Sequence, residues 1–210
     1  MARTHPILTI GHSRHPLERF LSLLATAEVS VVADVRSAPV SRFSPHFNKN
    51  ALAASLAGQG IDYVFLGQPL GGRPERLEMY TQGRVDYEKM AAAPEFRAGI
   101  TQLIETAERH RLAAMCSEAD PLDCHRCLLV GRALANAGFE VGHILVSGEI
   151  VSHAQEEDRL LQLERLPDDD FLMRSRAERL AEAYRSRNRR AGYARKPATA
   201  SATGGAERPD

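Results

Sequence analysis

The sequence predicts an α/β fold, with a mostly parallel sheet of about five strands, helices on both faces and a C-terminal helical extension. Short apolar runs alternate along the chain with segments of helical spacing, and parallel strands need a helical crossover between them. A hydrophobic content of 43% over 210 residues suits one ordinary core. The predicted strands cover residues 7–10, 29–35, 61–66, 112–115 and 141–146.

Helices are predicted where apolar residues recur every three or four positions. The clearest start signal precedes residues 121–137, where Asp120 is the expected N-cap and Pro121 takes the first helical position. Gly138 then fits the position just after the helix. The other predicted helices follow Pro16, cover residues 49–57 and follow Pro94.

The chain is predicted to form one α/β domain with appendages. The domain covers residues 1–153, and residues 154–194 form a charged helical extension in which bases dominate towards the end. Residues 195–210 are rich in Ala, Thr, Ser and Gly, which is typical of a disordered tail. Within the domain, residues 67–93 are a long polar insertion, interpreted either as a substrate lid or as a simple surface loop.

Composition excludes a membrane span and a disulfide framework. No apolar stretch approaches the ~18 residues that a spanning helix needs, so we expect a cytoplasmic protein with no membrane partner. The chain has three cysteines, an odd number that favours reduced thiols. Cys127 is interpreted as a core residue, because small buried cysteines are common in protein interiors.

The other two cysteines lie in one short reactive segment. Cys116 closes a predicted strand, and Cys124, His125 and Arg126 fall in the predicted first turns of the next helix. A helix start favours anions and lowers the pKa of a thiol. We therefore predict a reaction centre in which Cys124 is the more reactive thiol and Glu118 assists.

Polar and reactive side chains also follow the other predicted strands. Ligands of open parallel sheets bind outside the carboxyl ends of the strands, so these residues are expected to share one edge. Asp34 and Arg36 have a plainer interpretation as a structural ion pair, and His143 as a buried strand histidine. The remaining candidates for catalysis or substrate binding are His12, Ser13, Ser37, Asn48, Lys49, Gly71, Gly72 and Arg73.

Several motifs in this order resemble the prokaryotic family named domain of unknown function 488, over about residues 7–153. The resemblance implies an α/β fold of enzyme type and assigns no reaction. The basic C-terminal extension and Cys127 are not part of it. The motifs are Thr9-Ile10-Gly11-His12-Ser13, Asp34-Val35-Arg36-Ser37, Phe47-Asn48-Lys49, Leu70-Gly71-Gly72, Cys116-Ser117-Glu118-Ala119-Asp120-Pro121 with Cys124-His125-Arg126, and His143-Ile144-Leu145 with Gly148 and His153.

The first functional hypothesis is a thiol-dependent enzyme, a hydrolase or a transferase, that acts on an anionic, phosphate-containing substrate such as a nucleotide or a nucleic acid. Cys124 beside His125 has surroundings that favour a thiolate. Arg126 would clamp the anion, and Glu118 or Asp34 would act as the acid or base. This hypothesis requires no cofactor.

Two alternatives stay open. One is a zinc or iron site, because sulfur and imidazole ligands suit both metals, although the spacing is not that of ordinary zinc motifs. Its ligands would be Cys116, Cys124, His125 and His12, with His143 or His153. The other is a non-catalytic module that binds nucleic acid through the basic C-terminal helix. That helix offers Arg185, Arg187, Arg189, Arg190 and Arg195, with Tyr184 and Tyr193.

Overall fold

The structure is a computed structural model that describes residues 5–166 and 174–195. Its main feature is a six-stranded, mostly parallel sheet in the order β3-β2-β6-β1-β7-β8, which confirms the predicted α/β class. The added strand, β8, pairs antiparallel with β7 at the sheet edge. The sheet strands are β1 (Ile7–Gly11), β2 (Val31–Asp34), β3 (Asp62–Phe65), β6 (Leu112–Cys116), β7 (Val141–Ile144) and β8 (Ile150–Ser152), and a separate hairpin holds β4 (Tyr80–Thr81) and β5 (Arg84–Val85).

Helices cover both faces of this sheet, as predicted. Buried Phe20 and Leu52 join one apolar cluster, whereas Leu103 and Tyr184 join the cluster on the opposite face. Burial of both faces explains why the central strands are continuous apolar runs. The helices are α1 (Leu17–Thr26), α2 (Lys49–Ala57), α3 (Gly67–Leu70), α4 (Tyr87–Ala92), α5 (Pro94–Ala107), α6 (Arg132–Asn136), α7 (His153–Leu163) and α8 (Arg176–Ala191), with 3₁₀ turns at Pro45–Phe47, Leu77–Met79 and Pro121–Asp123.

The prediction of one helix over residues 121–137 is wrong in its first part. Asp120 does cap the 3₁₀ turn Pro121–Asp123, where its side chain accepts the N–H of Leu122 at 2.8 Å. Cys124 then has an extended backbone, with φ −135° and ψ 140°. A π-helix at Arg126–Gly131 follows and continues into α6. Cys124 therefore precedes the helical segment, and its extended conformation brings its thiol to Cys116.

The C-terminal helices pack on the domain core. Ser152 and Ser175 form capping boxes at the starts of α7 and α8, and Leu160 and Ala183 are fully buried in the same cluster as the sheet. The charged extension thus shares the core of the α/β domain. The predicted disordered tail lies, apart from Arg195, outside the described residues.

The polar insertion over residues 67–93 is more ordered than a plain loop. It contains α3, the β4–β5 hairpin and α4, and it buries Leu70 and Met90 in the core. Among the described residues, no helix is both long and apolar enough to cross a membrane.

Candidate functional site

A polar cavity of about 290 Å³ opens at the carboxyl ends of β2 and β6. Parallel neighbours deliver the residues that follow them to the same edge of the sheet. Eight residues predicted from sequence line the cavity: Arg36, Ser37, Gly72, Arg73, Cys116, Glu118, Cys124 and His125. Sequence reasoning did not single out Tyr87 or Asp123, which also line it and come from the insertion and the 3₁₀ turn.

Four donor atoms converge on one side of this cavity. Glu118 Oε2 lies 3.0 Å from the sulfur of Cys116 and 3.0 Å from that of Cys124. His125 Nδ1 lies 3.6 Å from the Cys116 sulfur and 3.8 Å from the Cys124 sulfur. These four atoms lie within 4.8 Å of one another. The arrangement suits either thiolate chemistry or a metal ion.

The imidazole of His125 is held in one orientation. Its Nε2 lies 2.9 Å from the carbonyl oxygen of Val35, to which it donates. This contact directs Nδ1 at the two sulfurs. Gly72 packs on the other side of the ring, because a Cβ added there would lie 2.8 Å from Cγ and Nδ1 of His125. A glycine is thus required for this close approach.

The two thiols differ in acidity. Burial opposes ionisation of Cys124, but its contact with Cys116 and the charges of Arg126 and His125 outweigh burial and lower its pKa well below the usual range. Burial and the contact with Cys124 raise the pKa of Cys116 well above that range. Burial and the adjacent Cys124 also raise the pKa of Glu118. Cys124 is therefore the thiol that ionises first.

Arg126 does not face the cavity, and its predicted role as an anion clamp is wrong. The side chain is fully buried, and its guanidinium donates to the carbonyl oxygens of Glu118 at 2.6 Å and Ala119 at 2.9 Å. Gly11 leaves room for this contact, since a Cβ there would lie 1.8 Å from the Glu118 oxygen. Arg126 orders the loop that carries Glu118, because both carbonyls depend on it for hydrogen bonds.

Asp34 and Arg36 form a buried ion pair, which is the plainer of the two interpretations of these residues. Arg36 Nε donates to Asp34 Oδ1 at 2.9 Å and Nη2 donates to Oδ2 at 2.6 Å. Tyr63 donates its hydroxyl to the same carboxylate at 2.7 Å. His12 Nε2 lies 3.2 Å from Arg36 Nη1, and burial lowers the His12 pKa to about 4. Asp34 is fully engaged, whereas Arg36 also lines the cavity.

The other predicted binding residues divide into those near the cavity and those away from it. Ser37 Oγ accepts the N–H of Arg73 at 2.9 Å, and the Arg73 guanidinium lies 4.9 Å from the centre of the Tyr193 ring. Gly71 packs against Ser37 Oγ, which a Cβ would meet at 2.4 Å. Three predicted residues are used elsewhere: Ser13 adopts a left-handed backbone with φ 49°, Asn48 accepts the Ser41 N–H, and Lys49 lies over the Phe65 ring.

Cys127, His143 and His153 form a second buried cluster, apart from the one around Cys124. Sequence reasoning placed Cys127 in the core and the two histidines in a single metal set with Cys116 and His12. The structure instead brings the three together, within 4.8 Å, while His12 contacts Arg36. No ligand spacing in the sequence indicated this cluster, because its members are 16 and 10 residues apart along the chain.

Three arginines of the basic C-terminal helix contact acidic residues of the same chain. Arg187 donates to the Leu122 carbonyl at 3.0 Å and pairs with Asp123. Arg185 and Arg190 pair with Glu88 and Glu164, both at 3.5 Å. These contacts bind α8 to the domain. Arg185 and Arg190 nevertheless stay about half-exposed or more, and the binding of nucleic acid by this helix stays a prediction.

Replacing Gly72 with alanine should disturb the site through His125. The added Cβ must displace the buried imidazole, and overpacking of this kind costs about 1–3 kcal/mol. We expect a lower melting temperature in Gly72→Ala, together with slower alkylation of Cys124. Gly58→Ala is the control, since its Cβ would meet no atom closer than 3.5 Å. Equal melting temperatures for the two variants would contradict the close packing on His125.

Comparisons with known proteins support the family predicted from the motifs. A family model described as "Domain of unknown function DUF488" matches residues 16–133. No curated protein and no solved structure matches the chain. The match covers more than half of the 210 residues and includes the whole segment from Cys116 to Arg126. His12, His143 and His153 lie outside it. The chain therefore belongs to the DUF488 family.

Proposed function

We propose that this DUF488 protein is a thiol-dependent enzyme, a hydrolase or a transferase, that acts on a phosphate-containing anionic substrate through Cys124. The charge around Cys124 carries the proposal. Arg126 is a fully buried cation, and it makes no ion pair with a carboxylate among residues 5–166 and 174–195. A buried charge needs a compensating partner. The Cys124 sulfur, whose pKa the charge of Arg126 lowers, supplies one as a thiolate, and it also accepts the Arg126 backbone N–H at 3.4 Å.

The preference for an anion rests on the rest of the cavity. Arg36 and Arg73 line it, and Ser37 adds a hydroxyl beside them. Arg36 is neutralised by Asp34, whereas Arg73 makes no ion pair within the part of the chain that the structure describes and provides the uncompensated charge. Its guanidinium is exposed and stacks on Tyr193, and a planar guanidinium binds phosphate oxygens in pairs. This charge would draw an anionic group towards Cys124.

The proposed reaction uses Cys124 and Glu118 as a pair. The Cys124 thiolate attacks the electrophilic centre of the substrate, and the bond from that centre to its leaving group breaks. Glu118, whose pKa is raised by burial and by the neighbouring Cys124, gives a proton to the leaving group. Water or a second acceptor then attacks the covalent intermediate and returns a proton to Glu118. Cys124 leaves as a thiolate, so the cycle closes.

Alkylation rates test the thiolate. Since each unit of pKa changes the thiolate fraction about ten-fold, we expect Cys124 to react with iodoacetamide at least about ten-fold faster than Cys116 near pH 6. The rate at Cys124 should persist as the pH falls below the usual thiol range of about 8.5. Peptide mass mapping over a pH series gives both rates. Faster labelling of Cys116 would reverse the roles assigned to the two thiols.

The same reaction tests the anion preference. The test compares the alkylation rates of Cys124 with anionic iodoacetate and with neutral iodoacetamide. We expect the ratio of the iodoacetate rate to the iodoacetamide rate to show a gain at Cys124 over its value on a free thiol. Inorganic phosphate should slow both reactions. Arg73→Met should remove this gain because it removes the uncompensated charge. Arg97→Met is the control, since Arg97 is an exposed arginine of α5 outside the cavity. An iodoacetate preference that persists in Arg73→Met would contradict the assignment of Arg73 as the anion-attracting residue.

A metal ion on the same residues is the second candidate function. It is favoured by the convergence of two sulfurs, Glu118 Oε2 and His125 Nδ1, whose ring is oriented by the Val35 carbonyl as metal-binding histidines are. Metal analysis of protein purified without a histidine tag separates the candidates. Stoichiometric zinc or iron, with Cys124 alkylated only after chelation, would favour the metal. Absence of metal with fast alkylation favours the thiol enzyme.

A further inference from the structure

We propose that Cys127, His143 and His153 form a zinc-binding site, distinct from the cavity around Cys124. The three side chains come from three separate elements, namely the π-helix Arg126–Gly131, strand β7 and the first residue of α7. The thiol and both imidazoles are buried, with exposed fractions of 0%, 0% and 5%. Three such donors meeting in a protein interior form a set that zinc prefers.

The distances between the donor atoms fit one ion. His143 Nε2 and His153 Nδ1 lie 3.0 Å apart, and the Cys127 sulfur lies 3.7 Å from the first and 3.9 Å from the second. Zinc bonds of about 2.0–2.1 Å to nitrogen and 2.3 Å to sulfur place tetrahedral ligands about 3.3 Å apart for two nitrogens and about 3.6 Å for nitrogen and sulfur. Small movements of the side chains would therefore complete the site.

The ring nitrogens of His143 and His153 that point away from the cluster already have the hydrogen-bond partners that metal-binding histidines need. His143 Nδ1 lies 2.7 Å from Thr9 Oγ1, and His153 Nε2 lies 2.9 Å from the Tyr184 hydroxyl. That hydroxyl in turn donates to Glu157 at 3.1 Å. With the protons on Nδ1 of His143 and Nε2 of His153, the other two ring nitrogens, which point into the cluster, present lone pairs to an ion. Zinc binding then releases only the proton of the Cys127 thiol.

The local backbone accommodates the ion and a route to it. Cys127 lies in a π-helix, a geometry that often occurs at functional sites. Gly131 leaves space beside His153, since a Cβ there would lie 3.3 Å from its ring. His153 also lines a surface hollow of about 560 Å³ together with Gly142 and Gln155. Cys127 and His143 do not line this hollow, so an ion would reach the cluster from solvent past His153.

Cobalt titration of the full-length, metal-free protein tests the site. Co²⁺ bound to a thiolate absorbs by charge transfer, so the band reports a cysteine ligand. We expect Cys124→Ser, which alters only the other cluster, to bind one equivalent of Co²⁺ with this band. We expect the double variant Cys124→Ser/Cys127→Ser to lose it. Retention of the bound equivalent and its band in the double variant would overturn the proposal.

A measurement on zinc itself does not depend on the folding of a Cys127 variant. In Cys124→Ser protein loaded with Zn²⁺, X-ray absorption should show one sulfur and two imidazole ligands. Two sulfur ligands, or no bound zinc, would contradict the site. Because Cys124 is absent from this protein, the result is independent of whether Cys124 acts as the proposed nucleophile.

A conservative variant tests the outer hydrogen bond. Tyr184→Phe removes the partner of His153 Nε2, and loss of such a partner typically weakens metal binding 10–100-fold. We expect a loss of about ten-fold or more in the zinc affinity measured by competition with a chelator. Tyr80→Phe is the matched control, because its hydroxyl donates to Pro74 away from the cluster. Equal affinities in the two variants would contradict the assignment of Tyr184.

Discussion

Replacing Arg126 with methionine is expected to lower the free energy of unfolding by about 3–5 kcal/mol, the usual cost of removing one partner from a buried charged network. Arg126 is fully buried, and its guanidinium is the donor to the carbonyl oxygens of Glu118 and Ala119. Without it, two carbonyls lose their hydrogen bonds and the Cys124 thiolate loses a neighbouring cation. Urea denaturation of the wild-type and variant proteins measures the loss.

Two further variants make this prediction specific. Arg126→Lys keeps the charge but lacks the planar fork that reaches both carbonyls, so it should also be destabilised, by less than Arg126→Met. Arg76→Met removes a surface arginine that pairs with Glu78 and Glu95, and it should unfold at the wild-type urea concentration. Wild-type stability in Arg126→Met would show that the loop carrying Glu118 holds its conformation without this side chain.

The effect on Cys124 should accompany the effect on stability. Arg126 is one of the groups that lower the Cys124 pKa, so in Arg126→Lys, which retains the charge, the thiol should still ionise early. In Arg126→Met the alkylation rate of Cys124 should fall near pH 6 and recover at alkaline pH. The comparison separates the charge of Arg126 from its hydrogen bonds.

The central strands and most helices could be predicted from the sequence because their physical signal is local. Strands β1, β2 and β6 are buried on both faces and therefore form continuous apolar runs, and α2 covers Lys49–Ala57, as its spacing indicates. Strand β8 was missed because it has only three residues, mostly exposed, which are too few to show a periodic pattern. Its pairing depends on a turn at Gly148, whose φ is 100°.

Part of the cavity lining could be predicted from the sequence, but its geometry could not. Strand ends brought Cys116, Arg36 and Ser37 to one edge, as parallel topology requires. The extended backbone of Cys124 was not predictable, because it accompanies contacts with Glu118 and Cys116 rather than local helix propensity. The inward orientation of the Arg126 side chain was not predictable either, because nothing in the local sequence indicates its hydrogen bonds to two carbonyls. Its side chain was therefore predicted to bind an anion.

The cluster of Cys127, His143 and His153 could not be predicted from spacing along the sequence. Its members are 16 and 10 residues apart along the chain, and neither interval is a familiar ligand spacing. They meet because β8, which pairs with β7, leads directly into α7 and His153, and because the π-helix presents Cys127 to the same point. Such meetings depend on tertiary packing, so only the structure separates this cluster from the residues around Cys124.

Replacing Asp34 with asparagine is expected to cost about 3–5 kcal/mol, because it leaves the buried Arg36 guanidinium without its carboxylate. Asp34 is fully buried, and Arg36 has a side-chain exposure of 4%, so solvent cannot replace the lost partner. Tyr63→Phe removes only one hydrogen bond to the same carboxylate and should cost about 1–3 kcal/mol. Denaturant unfolding of both variants checks this order.

A double variant identifies the cause of the loss. If the unpaired charge of Arg36 dominates, Asp34→Asn/Arg36→Met should be more stable than Asp34→Asn alone, because the second substitution removes the buried cation. The recovery should be incomplete, since Arg36 also donates to the Phe47 carbonyl at 2.8 Å. A double variant less stable than Asp34→Asn would mean that this bond and the contact with His12 matter more than the ion pair. Arg36 would then be held at the cavity by its neighbours rather than by Asp34.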